Sequence, residues 1–549
     1  MGGVRTLISA VIYCAFAAAV FLAHGNAPDI SVDHITYLKG ANEIIEANPD
    51  GFYARDLTSI TSYEVLLAYL HEWTRSHILS LKLLLAVFTV FHLFSTEVFF
   101  RLLTQEWWKA VLFSLLAAFF VSFGAPIWGV TDFIASLNRT IVVPFMILIV
   151  YGFVAWHDRP WKYLAYPLLV ALSVLHLSVY YLILTLLVYE AWDFAIERRL
   201  KLDRRLLWFA AGLLLAFVLQ LIIEATGIGV SKHVPYALMQ ALTAATMTPA
   251  ESWKLELYVN PWRNMPLPLT TLAAMAASFG LIGLLALAGL AVSIRRGLTQ
   301  LDRRMLAFGA AVVVAAYGPQ TLMWLVRSVI PIYPVNFEEM RAISLIMLPA
   351  LYFVLRLFES AVADATLARK FAVSAVISAL VLLQPIVVLR SLPDSAKQAI
   401  LQLALQKGLI LEDDSLRLSY ARQFLGLPED GPRFYYSIQN AIAWLDLHAA
   451  KDARVLSDRN DLMLAKVEVI GDLNSLQKKG VTAGVVRVLR EAVEDVHGAF
   501  RSADMRELER VGRKYGATFA VVPRPVEGAP YRDRHFSIIR IPVGPARAS

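Results

Sequence analysis

From the N-terminus to about residue 390, apolar runs of membrane-helix length alternate with short polar connectors, and no water-soluble core can hide so many of them. Crossing a hydrocarbon layer about 30 Å thick takes ~20 helical residues. The runs at 6–24, 78–99, 108–128, 140–156, 162–176, 177–194, 206–225, 268–293, 306–327, 342–359 and 371–389 predict about eleven spans. Those at 162–176 and 177–194 are short and predict a broken or re-entrant pair. Composition agrees: 58% of residues are hydrophobic and 17% charged, with mean hydropathy +0.56, against roughly a quarter charged in soluble domains. The single cysteine, Cys14, excludes an intrachain disulfide. The expected fold is an α-helical polytopic membrane domain over 1–390, with a large first outside loop over 25–76, followed by a small soluble α/β domain over 391–549.

The formal charge of +7 follows topology rather than forming a basic stripe with interleaved aromatics, so no nucleic-acid partner is expected. With the N-terminus cytoplasmic, the inside connectors carry the denser basic residues, including the cluster Arg198, Arg199, Lys201, Arg204 and Arg205 and the pairs Arg295/Arg296 and Arg303/Arg304. The opposite loops are longer in total and hold fewer, such as Lys39, Arg55 and Arg75. By the positive-inside rule the number of spans is odd and the C-terminal portion is extracytoplasmic. Residues 1–24 carry Arg5 ahead of an apolar stretch, which fits a signal peptide or an uncleaved anchor, and the anchor is the favoured reading.

Beyond Arg390 helical patterns at 395–408, 437–449, 483–498 and 503–515 alternate with short apolar runs at 454–456, 466–470, 518–522 and 536–541. Strands alternating with helices predict a small α/β domain. It lacks a dinucleotide fingerprint, a phosphate loop, zinc spacing or a nucleophile elbow, so it reads as a lid or docking module.

The chemistry-bearing residues concentrate in the outside loops. The stretch 33–45 predicts an amphipathic helix with apolar positions 35, 38, 41, 44 and 45 on one face, suited to lying along the membrane interface. Asp33 opens it, as a helix cap or as a working carboxylate; His34, Tyr37 and Asp56 are candidate substrate contacts in the same loop. A second acid, Asp132, lies between the third and fourth runs on the same side, where it either caps the next helix, pairs with Arg139, or converges with Asp33 on one substrate.

An acid in a large first outside loop with an interfacial helix, a second acid beyond the third span, and a C-terminal extracytoplasmic domain resemble the GT-C glycosyltransferases. The stretches 33–41, 48–56, 138–145 and 514–522 look most like bacterial members of that superfamily. The resemblance implies transfer of a sugar from a polyprenyl-phosphate carrier to a glycan, lipid or protein acceptor. Carried over by position, Asp33 matches the first-loop carboxylate that takes the acceptor proton or orients the acceptor, and Asp132 matches the second-loop acid. The sequence departs from the protein O-mannosyltransferases in having His34, not a second acid, after Asp33.

A lipid-phosphate leaving group calls for fixed positive charge near the outer surface. Arg341 is the first candidate and Arg139 the next; both also read as interfacial arginines balancing Glu338, Glu339 or Asp132. His176 interrupts an apolar run where the chain turns outward, and is either a substrate contact or a histidine satisfied locally. No His, Cys, Asp and Glu cluster has metal-ligand spacing, although Asp33 and Asp132 could share a divalent cation. The rival readings are a transporter or flippase and a non-catalytic assembly component of envelope polysaccharide synthesis. The orientation predicts that cysteines placed near residues 39 and 400 of a Cys14-free chain react with a membrane-impermeant maleimide in intact spheroplasts. Cysteines at 199 and 296 should react only after permeabilisation; equal reaction at all positions contradicts the topology.

Overall fold

The computed structural model describes residues 2–24, 32–47, 62–119, 130–131, 133–176, 178–196, 204–226, 248–250, 269–327, 329–330, 338–363, 365–383, 392–407, 425, 432–450, 453–457, 467–471, 483–502 and 504–542. The N-terminal part is helical: α1 (Gly2–Ala23), α2 (Val32–Ala47), α3 (Ser62–Thr74), α4 (His77–Arg101), α5 (Trp107–Ala118), α6 (Asn138–Ala155), α7 (Ala165–Leu172), α8 (Val179–Ile196), α9 (Arg204–Thr226), α10 (Leu269–Arg295), α11 (Gln300–Arg327), α12 (Met347–Val362) and α13 (Leu367–Leu382). Short 3-10 segments at Phe133–Ser136, Pro160–Leu164 and Glu338–Ile346 precede α6, α7 and α12.

Among the described residues, five helices are long and apolar enough to cross a membrane: Gly3–Ala23, His77–Arg101, Arg204–Ile223, Gln300–Arg327 and Ala342–Val362. Trp107–Ala118, Thr140–Ala155 and Leu281–Arg295 are shorter apolar helices. The clearest departure from the expected spans is at 162–176, where the 3-10 turn Pro160–Leu164 and the eight-residue α7 replace a single helix. At 1.5 Å per residue α7 is only about 12 Å long, so this segment is the broken element of its pair.

Apolar side chains face outward as well as inward. On α9, Leu214 and Phe217 are 64% and 60% exposed, with Leu221 and Ile222 beside them, a surface that hydrocarbon suits and water does not. Inside, one large cluster runs through α4 to α13, with Phe113, Val150, Tyr166, Leu186, Phe308 and Leu351 at its centre. Gly289 lets α10 and α12 approach backbone to backbone: a Cβ there would sit 1.8 Å from the Phe353 carbonyl oxygen. The first helix is bonded into the bundle, since the Tyr13 hydroxyl donates to Glu97 at 2.8 Å and the Trp107 indole donates to Ser9 at 2.8 Å.

Charged side chains collect at one end of this bundle. Lys162 and Glu190 form an ion pair with both side chains fully buried. The Tyr163 hydroxyl donates to the other Glu190 oxygen at 3.0 Å, and Arg205 donates through Nε to Tyr163 at 3.0 Å while pairing with Asp193. Nearby, Asp302 accepts two bonds of 3.0 Å from Arg356, one of 2.8 Å from the Thr299 amide and one from Tyr352. Arg304 reaches across to Asp158 at 3.4 Å and the Val154 carbonyl at 3.3 Å. These contacts tie the start of α11 to the ends of α6 and α12, and the start of α9 to α8.

The C-terminal elements are α14 (Asp394–Gln406), α15 (Pro432–His448), β1 (Arg454–Leu456), β2 (Glu468–Ile470), α16 (Ala483–Ser502), α17 (Met505–Tyr515), β3 (Phe519–Val522), β4 (Tyr531–Arg532) and β5 (Ser537–Arg540). The sheet has the order β2-β1-β3-β5-β4, with β1 parallel to β2 and β3, and β5 antiparallel to β3 and β4. Strand alternation sends Val455, Phe519, Val521 and Ile538 against α15, and Leu456, Ala520, Val522 and Ile539 against α16 and α17. Asp504 caps α17 by accepting the Arg506 amide at 2.9 Å, and Gly516 ends it with φ +68°. The strands expected at 454–456, 466–470, 518–522 and 536–541 are found within a residue or two, and β4 is the addition.

The buried Lys162–Glu190 pair makes a strong prediction, because removing Lys162 leaves the buried Glu190 carboxylate with the Tyr163 hydroxyl at 3.0 Å and the more distant Arg205 at 3.7 Å. Lys162→Met should destabilise the protein by about 3–5 kcal/mol, and adding Glu190→Leu should recover most of that. Thermal unfolding in detergent tests both, and an unchanged midpoint for the single variant contradicts the arrangement.

Candidate functional site

The opposite end of the bundle is built from α2, α3 and the turn before α6. Ser76 starts α4 by accepting the Leu79 amide at 3.3 Å, and Thr74 supports the corner by bonding Ser80 at 2.8 Å. The chain reverses there through Arg75 at φ +54°, which folds α3 back beside the first turns of α4. His71 of α3 stacks on His77 of α4 at 3.9 Å. Burial, reinforced by the Arg75 guanidinium and opposed by Glu72, holds His71 below the ordinary histidine range.

Helix α2 docks on α3 by its predicted apolar face. Leu38, Ala41 and Ile44 are buried with Tyr63, Leu67 and Ala68 of α3 and Leu81, Leu85 and Phe88 of α4. The amphipathic stripe expected along the membrane interface is therefore buried against protein. Gly40 permits the close approach, since a Cβ there would meet the buried Glu64 carboxylate at 2.3 Å. Tyr37 lies edge-on to Tyr63, ring centres 5.1 Å apart.

The start of α2 meets the turn Phe133–Ser136. The His34 imidazole is fully buried, hydrogen-bonded through Nε2 to the Ser136 hydroxyl at 2.9 Å and stacked on Phe133 at 5.1 Å. The Tyr63 hydroxyl donates to the Ser136 carbonyl at 2.5 Å. His24, just beyond α1, also packs on Phe133, with ring centres 5.4 Å apart. Its Nε2 donates to the Thr131 carbonyl at 3.0 Å. Four segments of chain, the end of α1, the start of α2, the start of α3 and the turn before α6, thus converge within a few residues of one another.

Placed against the sequence candidates, this convergence joins the neighbourhoods of the two acids. Asp33 is the second residue of α2 and the chain neighbour of His34; its side chain lies outside the described residues. Asp132 and Asp56 lie outside the described residues altogether; Asp132 falls between Thr131 and Phe133 in the sequence. Arg139 belongs to the first turn of α6 and Arg341 to the turn Glu338–Ile346, their side chains likewise outside the described residues.

His176 sits in the break between α7 and α8. Its Nδ1 accepts the Ser178 amide at 3.0 Å and faces the Ser178 hydroxyl at 2.8 Å, so the ring satisfies the backbone where α8 begins. Its neighbour Leu175 packs against the cluster formed by α2, α3 and α4, which brings the helix break to the same end of the bundle. The Arg341 region is reached less directly: Ala342 is buried with Ala316 and Tyr317 of α11, with Tyr181 of α8 against them. Among the described residues no group of three His, Cys, Asp or Glu side chains is placed to hold a metal ion.

His24, Tyr63, Phe133 and Ser136 were not singled out by sequence. A signal existed for Phe133 and Ser136, which flank the second acidic loop, but a lone histidine after an apolar run and a tyrosine opening a helix carry no spacing that announces a long-range contact. No protein-family model matches the chain, and no curated protein matches it.

Gly40→Val should force α2 away from α3 by driving a branched side chain into Glu64. Limited proteolysis of the folded protein is expected to cut within 25–76 many times faster than in the wild type, and unchanged protection contradicts the docking.

Proposed function

We propose that the chain is an integral membrane glycosyltransferase of GT-C type, with about eleven spans, acting on the extracytoplasmic side of a bacterial inner membrane. The end of the bundle that carries α2 and α3 faces outward, and the charge-paired end faces the cytoplasm. The sugar of a polyprenyl-phosphate donor passes to a glycan, lipid or protein acceptor by a single displacement. The acceptor oxygen forms its bond to the anomeric carbon as the bond from that carbon to the carrier phosphate breaks. Configuration inverts, the acceptor proton goes to Asp33, and the electron pair leaves on the phosphate. Asp132 orients acceptor or donor. Arg341 and Arg139 hold the departing phosphate, for which guanidinium geometry is well matched.

The observation that supports this reading best is the contact of His34 with Phe133 and Ser136, because it joins the chain neighbours of both acids, which lie 99 positions apart in sequence. Such a displacement at the membrane surface needs separate loops to bring the base and the groups that orient substrate together, and this contact is where two loops meet. The outward apolar surface of α9 supports the membrane setting.

Asp33→Asn is expected to lower transfer by about two to four orders of magnitude, the range for lost general-base catalysis, while membrane insertion and abundance persist. Lipid-linked intermediates and surface glycans are compared with and without the protein: a sugar missing from the glycan and its donor accumulating fit transfer. An intact glycan trapped on the inner leaflet contradicts transfer and fits flipping, and full turnover in Asp33→Asn removes the base.

A further inference from the structure

The stretch around residue 132 is held from both sides by imidazoles. Upstream, the Thr131 carbonyl accepts the His24 Nε2–H at 3.0 Å. Downstream, the Phe133 ring packs on both His24, at 5.4 Å, and His34, at 5.1 Å. Three residues further, Ser136 takes part in two more bonds, one between its hydroxyl and His34 at 2.9 Å and one from Tyr63 to its carbonyl at 2.5 Å.

An apolar side chain would fill the place of His34 more cheaply. Complete burial of an imidazole costs free energy unless a partner satisfies it. Position 34 instead carries a ring that both stacks and hydrogen-bonds, on a helix whose remaining buried face, Leu38, Ala41 and Ile44, is wholly apolar. Stacking alone sets a distance; the bond to Ser136 adds a direction and so fixes the rotation of α2 about its axis relative to the turn. Rotation of α2 moves residue 33 relative to residue 132.

We propose that His34 is a positioning residue: through Ser136 and Phe133 it sets the first turn of α2, with Asp33, in register with the segment that carries Asp132. This rests on the reading of that end of the bundle as the transfer site. His34 is fully buried and acts through Ser136 and Phe133. Its role is to hold the start of α2 and the turn Phe133–Ser136 in one register, and a misplacement of about 1 Å in a reacting arrangement costs up to ~100-fold in rate.

The test uses the full-length protein in proteoliposomes with a polyprenyl-phosphate sugar, and in parallel a Cys14→Ser/Asp132→Cys chain labelled with a membrane-impermeant maleimide. His34→Ala is expected to lower kcat about tenfold to a hundredfold with little change in KM for the donor. Ser136→Ala, which leaves the Phe133 stack in place, should lower it by less, and the double variant should be no worse than His34→Ala. His34→Gln, which returns an amide near the position of Nε2, should recover most of the loss. In the labelling arm, His34→Ala should change the rate at Asp132→Cys several-fold and His34→Gln should restore it. A residue needed only for folding would instead lower the yield and thermal midpoint together, with additive variants, no rescue and an unaltered split of kcat from KM; that pattern, or an unchanged labelling rate, overturns the proposal. If the wild type transfers no sugar, the transfer reading fails by itself, and the labelling arm still decides whether His34 positions residue 132.

Discussion

An apolar helical bundle gives a polar side chain no partner except another group of the protein, and the arrangement of this molecule follows from that constraint. Lys162 is buried because Glu190 is buried against it; Asp302 is buried because Arg356, Tyr352 and Thr299 all donate to it. Each such set joins two or more helices, so the pairs dictate which connectors lie together. Apolar packing along Phe113, Val150 and Leu351 supplies most of the burial but little direction; the polar sets supply register.

At the other end the same logic operates through imidazole, hydroxyl and carbonyl groups. His24 donates to the Thr131 carbonyl, and His34 and Tyr63 bond the Ser136 hydroxyl and carbonyl, with the Phe133 ring packed on both imidazoles. The break at His176 adds a third element, because a helix that stops short of full length exposes backbone and side chains that a continuous helix would cover.

Much of the fold is legible in the sequence, for identifiable reasons. Apolar runs report helices because the period and length of a buried helix leave a strong one-dimensional trace: the runs at 78–99 and 206–225 reappear as α4 and α9 with ends shifted by two residues or fewer. The strands at 454–456 and 518–522 are legible because β-branched and aromatic residues alternate between turn residues. What the sequence does not report is which surfaces meet. The stripe on α2 reads equally well as facing lipid or protein, and only Gly40 and Tyr37 against α3 decide for protein. The two-residue β4 lacks the length to show a period. His34 is visible as a candidate contact, but its bond to Ser136 spans 102 residues and leaves no local pattern.

The convergence of α2 with the turn before α6 carries the account, and distance is its most direct test. In a Cys14→Ser chain kept in native membranes, cysteines at 34 and 136 should be bridged nearly completely by a bifunctional thiosulfonate only a few ångströms long, yielding one linked peptide after digestion. Cysteines at 34 and 190 should not be bridged under the same treatment. Failure of the first pair to cross-link, with both thiols shown to be reactive, would mean that the two outer segments do not meet and that the proposed centre has no scaffold.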